Sequence, residues 1–335
     1  MSVAAAGVDT WSIAWYLREE SSAVAAMEHL ATGRASRSRL LPEKVVGHRV
    51  GWFPGSRLVF AEGRPGGEEG LCDPGDLPAV AGLLADSIRA RGVRLPEHDY
   101  LPNGIPDGAL RRAASLGDSG FAGVRRLDST VDLRFEGGAT GLAALSGVGA
   151  LPVPRVSKKV QREVGGNRVE TVWFLGTSGR SVLGRWYDKG VETGEADRGQ
   201  WVRPEDQRRF AKEARVPVDV VADTSFVRDS FVRRFEPLWR ASKGVLVASH
   251  SELAGRVREL VEEGEMTAGE AKAALGHLVL DSGGERLQSR STWYRDRSVC
   301  RRHGLVLADC DDDVVSIDLG EVVEEALETE RWGRG

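Results

Sequence analysis

Two aspartates four residues apart, in Arg126-Leu-Asp128-Ser-Thr-Val-Asp132, are the first residues whose spacing suggests chemistry. Alternation along a strand puts positions four apart on one face, so both carboxylates point the same way. Like charges so placed repel unless a cation or basic groups lie between them, and an oxygen-rich pair of this kind suits magnesium or manganese. A solvated strand face carrying acidic residues satisfies the same spacing. Further along, Gly184-Arg-Trp-Tyr187-Asp-Lys189-Gly190 sets a phenol near an ammonium group that can activate it or neutralise a phosphate. Trp201-Val-Arg-Pro-Glu205 adds a third carboxylate for a metal. The structural alternative for Tyr187 is a half-buried residue at a strand end before a turn.

A third group is cationic. Between Glu285 and His303 lie Arg286, Arg290, Arg295, Arg297, Arg301 and Arg302, against only Glu285 and Asp296. A short basic helix preceded by two helices and followed by strand-like Leu305-Val-Leu-Ala has the form of a recognition element in a winged helix-turn-helix. Arg290, Thr292, Arg295, Arg297 and Arg301 are its candidate DNA contacts, with Ser291 also available and Val299 turned to the core. A solvated helix with charge pairs along it is the alternative.

The elements that position these groups are legible from periodicity. Gly7 to Arg18 has the aromatic and β-branched content of a strand, and Val24, Met27 and Leu30 follow at helical spacing. His48–Phe53 and Arg57–Glu62 form two strands about Pro54-Gly55, and Asp76 caps a helix to about Arg91. A second copy of this order begins with a strand at Val124–Phe135, a small-residue helix at Thr140–Leu145, and strands near 168–176 and 181–188. Residues 95–122, rich in Pro, Gly and Asp, join the copies. Beyond Trp201 the texture turns helical, with helices near 224–240, 251–262 and 268–280, the last opened by a Thr267/Glu270 capping box. An Asp281-Ser-Gly-Gly284 turn leads to the basic helix at 289–303, which Gly304 ends. The segment from Asp309 to Glu330 is strongly acidic.

Composition narrows the class. A formal net charge of -4 argues against a generally basic nucleic-acid coat, so local patches matter more than the total. Cys72, Cys300 and Cys310 are odd in number and far apart, which suggests neither a disulfide framework nor a zinc site. No run approaches the roughly 18 apolar residues of a membrane helix, and MSVAAAGVDTW lacks the basic region of a signal peptide. The expectation is a cytoplasmic protein with reduced thiols and no membrane partner.

"RLDSTVDLRF", "GRWYDKGVETG" and "WVRPEDQRRF", in that order, resemble the replication initiation factor family, the rolling-circle replication initiators and relaxases of plasmids, phages and integrative elements. The resemblance spans roughly residues 7–212. It implies an α+β fold: an antiparallel-sheet nicking domain of two related β-α-β-β halves in 1–215, then a mainly helical DNA-binding region in 216–308 with the winged element, and an acidic tail in 309–335. It implies Asp128, Asp132 and Glu205 as ligands of Mg²⁺ or Mn²⁺, with Asp9 a weaker candidate. The six histidines never form the His-hydrophobic-His pair that other nicking enzymes use. Double- and single-stranded origin DNA, a host helicase and a second copy of the chain are the implied partners. The implied activity is origin-specific nicking of one strand by a tyrosine, with metal assistance. Relatives carry that tyrosine where this chain has Trp173-Phe174, neither of which can be a nucleophile. Either Tyr187 takes the role, with Lys189 beside it, or the chain is a catalytically degenerate DNA-binding regulator on the same scaffold.

Overall fold

The structure is a computed structural model that describes residues 1–16, 39–53, 58–67, 70–93, 95, 123–162, 168–176, 182–210, 216–282, 289–308, 315–328 and 332. The helix expected at 21–30, the joining segment 96–122 and Cys310 lie outside them. The class is mixed α+β, built on a large antiparallel sheet. Contacts divide the chain into two compact units. The first comprises Met1–Ala4, Val131–Pro204 and Val232–Thr329, and the second Ala5–Thr130, Glu205–Phe231 and Glu330–Gly335. Neither is one continuous stretch.

In the second unit, β1 (Ser2–Tyr16), most of which lies there, pairs antiparallel with β4 (Leu58–Gly63), which pairs in turn with β3 (Arg49–Phe53). β2 (Arg39–Leu40) extends the edge. Trp11, Ile13 and Trp15 on one side and Ala14 on the other are fully buried, as a strand covered on both faces requires. Helix α1 (Leu77–Arg89) buries Leu77, Ala81, Leu84, Ala85 and Ile88, a stripe at 3.6-residue spacing. Its start differs from expectation. Asp76 already has helical backbone and caps nothing with its side chain, because a 3₁₀ turn at Pro74–Asp76 precedes the helix and Asp73 caps that turn.

β5 (Gly123–Arg134) and β9 (Trp201–Arg209) each pass from one unit into the other. Between them in sequence come α2 (Gly138–Ala150), β6 (Ser157–Arg162), β7 (Val169–Leu175), β8 (Val182–Asp188) and the short α3 (Lys189–Thr193). The sheet order is β2-β3-β4-β1-β5-β9-β8-β7-β6, and the two-residue β10 (Val216–Pro217) pairs with β5. β9 corrects the expectation of helical texture beyond Trp201. Trp201 to Gln207 is buried without a break, polar residues included, so no alternation marks it as a strand. β6 was also missed. Its Ser-Lys-Lys-Val-Gln-Arg sequence suits an edge strand, where lysines discourage further pairing.

The rest is mainly helical: α4 (Val218–Val221), α5 (Thr224–Ser242), α6 (His250–Glu262), α7 (Ala268–Ser282), α8 (Arg290–Arg302) and α9 (Leu319–Leu327). In the first unit Leu253, Val257 and Leu260 of α6, Ala274 and Leu278 of α7, and Val299 and Cys300 of α8 share one core. The capping box forms as expected: the Glu270 amide donates to the Thr267 hydroxyl at 3.2 Å, and the Thr267 amide to the Glu270 carboxylate at 3.0 Å. Gly304 ends α8 at φ 64°. β11 (Leu246–Ala248) lies between β12 (Leu305–Leu307) and β13 (Ser316–Asp318), parallel to the first and antiparallel to the second. The strand after α8 therefore does not pair with its successor, and the hairpin that a wing needs is not formed by β12 and β13. The acidic segment carries α9, which buries Leu319, Val322, Val323 and Ala326. Cys72 and Cys300 are buried thiols that take part in no disulfide among the described residues. Among the described residues no helix is long and apolar enough to cross a membrane.

Candidate functional site

Asp128 sits on β5 in the second unit, only 2% exposed. Arg126, two residues earlier and so on the same face, forks onto it, with Nε donating to Oδ1 at 2.9 Å and Nη2 to Oδ2. The same guanidinium reaches Glu62 of β4 at 3.3 Å. Glu205 on β9 is equally enclosed and accepts a hydrogen bond from Gln207 at 2.6 Å. Asp9 on β1 is buried, near Arg64 at 4.0 Å. Burial pushes the Asp128 carboxyl up to about 7; the Arg126 hydrogen bond opposes this, while the charges of Glu205 and Asp9 add to it. Asp128 thus feels the charges of two further carboxylates, with Arg126 the cation that pairs with it.

Asp132 is placed elsewhere. It belongs to the first unit, where Arg203 of β9 grips it at both oxygens, Nε to Oδ1 at 2.6 Å and Nη2 to Oδ2 at 2.9 Å, with both residues buried. The two aspartates therefore each face a guanidinium. Among the described residues no group of three or more His, Cys, Asp or Glu is arranged to hold a metal ion. The donor set does not fit, as placed, the divalent ion that the family resemblance implies: arginine nitrogens occupy both oxygens of Asp128 and of Asp132, and the Gln207 amide one oxygen of Glu205. Sequence reading missed Arg203 as a partner because a contact across two strands leaves no trace in either strand's own spacing.

Tyr187, at the end of β8 in the first unit, is 3% exposed. The Arg185 guanidinium lies 4.1 Å from its ring centroid and the Lys189 ammonium 5.8 Å. Lys189 itself is buried and paired with Glu192. A phenol so enclosed has no approach for a phosphodiester, and the expectation of Tyr187 as nucleophile and Lys189 as its activator finds no support in this geometry. Asp188 turns the chain instead, accepting from the Val191 amide at 3.2 Å and the Gly199 amide at 2.7 Å. Phe174, which the family resemblance sets at the expected tyrosine position, packs edge-on against Phe235 at 5.5 Å and is buried. Tyr294 has an exposed ring, 52%, whereas Tyr100 and the side chain of Tyr16 lie outside the described residues.

On α8 the expected DNA contacts divide. Arg295 is exposed and pairs with Asp296 at 2.9 Å, and Arg302 pairs with Glu270 of α7, so the helix has more acidic company than its own sequence suggests. Thr292 is tied to Ser289, which caps the helix. Arg297 stacks at 4.8 Å over Trp293, one turn earlier, and Arg301 continues that stripe. The side chain of Arg290 lies outside the described residues.

No protein-family model and no curated protein matches the chain. Among solved structures, the rolling circle replication initiator protein from Geobacillus stearothermophilus is similar over 69% of this chain and 84% of its own, at 15% identity and a TM-score of 0.37. A likeness of that size decides neither the fold nor the activity.

Proposed function

We propose that the chain is a DNA-binding protein of replication initiation that recognises origin DNA, duplex and single-stranded, without nicking it through Tyr187. The three motifs that resemble the replication initiation factor family support the class. The observation that carries the DNA-binding reading is the cationic surface of α8, where Arg295 is 70% exposed and Arg301 follows on the same helix in a chain whose total charge is negative. Exposed arginines there meet phosphates at little desolvation cost, and a helix presents them at the spacing of a groove. The adjacent positions of β1 and β5 in the sheet, each the first strand of its half, support the reading of two related halves. Fluorescence anisotropy on duplexes is the test: Arg295→Ala should weaken binding, and a wild-type chain with no affinity for any duplex at low salt would overturn the reading.

A second reading is strand nicking assisted by Mg²⁺ or Mn²⁺. The burial of Asp128 beside Glu205 and Asp9 favours it, since buried carboxylates with a raised pKa cluster at functional sites. It requires Arg126 to leave Asp128, and a nucleophile other than Tyr187. Incubation with supercoiled DNA and Mn²⁺ tests it. A covalent protein–DNA adduct, mapped by peptide sequencing to another tyrosine such as Tyr294, would establish it over the first.

A further inference from the structure

Helix α8 turns one stripe inward, where Val299 and Cys300 join the core shared with α6 and α7. Asp296 stands three and four positions before them, on the same stripe, and is 3% exposed. A carboxylate at a core position costs stability unless a cation compensates it. The compensation here is weak. Asp296 accepts from Nε of Arg295 at 2.9 Å, but the arginine side chain is 70% exposed, so water screens the pair. Among the described residues Asp296 has no other hydrogen-bond or ion-pair partner, and Nη1 and Nη2 of Arg295 donate to nothing. Stability alone would favour an apolar residue at 296. The effect of the bond falls on the arginine instead: neighbours on a helix do not ordinarily face each other, so a bond from 295 to 296 holds the long side chain in one arrangement. Its two remaining nitrogens then form a fork that is fixed before any ligand arrives, the shape that grips two oxygens of one phosphate. Rotamer freedom that a solvated arginine gives up on binding is here given up beforehand.

We propose that Asp296 is a positioning residue for DNA, holding Arg295 by Nε so that its fork meets a backbone phosphate of the duplex. The inference rests on the DNA-binding reading above. Exposed Arg301, about 9 Å further along the helix, continues the cationic line, which a run of phosphates matches better than one base does. Charge alone argues for the opposite role: an aspartate beside an arginine cancels part of its attraction for phosphate, and its removal would then strengthen binding to any duplex. The sign of the effect separates the two.

Fluorescence anisotropy of the full chain on a short mixed-sequence duplex at low salt tests this, with Arg295→Ala, Asp296→Ala, the double variant and Asp296→Asn. Arg295→Ala should weaken binding about tenfold, the loss of one charge-assisted contact, and Asp296→Ala about fivefold. In the Arg295→Ala background, Asp296→Ala should cost nothing further, because no fork is left to position. Asp296→Asn keeps an acceptor oxygen for Nε and should stay within about twofold of wild type. The melting temperature of Asp296→Ala should hold or rise, since a buried charge is gone and the arginine left behind is already solvated. Replacing one duplex phosphate at a time by an uncharged methylphosphonate should find a position that weakens wild type and leaves Arg295→Ala unaffected. Binding unchanged or strengthened in Asp296→Ala overturns the proposal. So does equal loss in both backgrounds with a lowered melting temperature, the mark of a structural role. Loss on one sequence and none on a scrambled duplex would assign the fork to a base edge and overturns it as well. A wild-type chain with no affinity for any duplex fails the DNA-binding reading and this inference together, whereas duplex binding indifferent to Asp296 fails this inference alone.

Discussion

Arg203 and Asp132 form a buried ion pair, 4% and 7% exposed at their side chains, that joins β9 to β5 by two hydrogen bonds. Removing one member leaves the other charged and dry, so Asp132→Ala should destabilise the protein by about 3–5 kcal/mol in urea denaturation. A metal ligand relieved of its repelling neighbours would respond the other way, and a gain in stability would contradict the pairing. Asp128 makes the complementary case. Its carboxyl ionises near pH 4 when unfolded and at about 7 when folded, so between those values the folded state holds more protons. Metal-free stability should then fall as pH rises through that window, by up to about 4 kcal/mol, and be independent of this group below pH 4. Asp128→Asn, which cannot ionise, should flatten the slope; an unchanged slope would place the titration elsewhere.

At the scale of elements, legibility followed pattern. The hairpin β3–β4, the stripe of α1 and the capping box of α7 were readable because each is written in local spacing. Thr267→Ala should accordingly cost about 0.5–2 kcal/mol, measured as a lower urea midpoint. β6 and β9 were not readable, the first because an edge strand is polar but for Val160, the second because it is buried without a break and its Arg203 finds its partner on β5. α2 was readable as a helix of small residues, but the reason for them was not. A Cβ on Gly141 would lie 1.8 Å from the carbonyl oxygen of Gly199, so the backbone of α2 and the loop before β9 touch directly. Gly141→Ala should therefore destabilise by about 3 kcal/mol or more, with thermal melting as the readout. The carboxylates of the candidate site were likewise legible by type, and their guanidinium partners were not, since Arg203 reaches Asp132 across 71 positions of sequence.

For the molecule as a whole, charge distribution outweighs total charge. A net -4 repels DNA at long range, so the proposed binding would come from the local field of the basic helix and should be steeply salt-dependent. Each phosphate contact releases counterions and contributes a slope of about -0.9 to log affinity against log salt. The most direct measurement is selection of wild-type protein on a randomised duplex library, followed by anisotropy on the enriched and a scrambled sequence across a salt series. The expected result is an enriched site, bound more tightly than the scrambled duplex, whose salt slope flattens by about 1 in Arg295→Ala. Absence of enrichment together with salt-independent or undetectable binding would contradict the central claim that this chain recognises DNA.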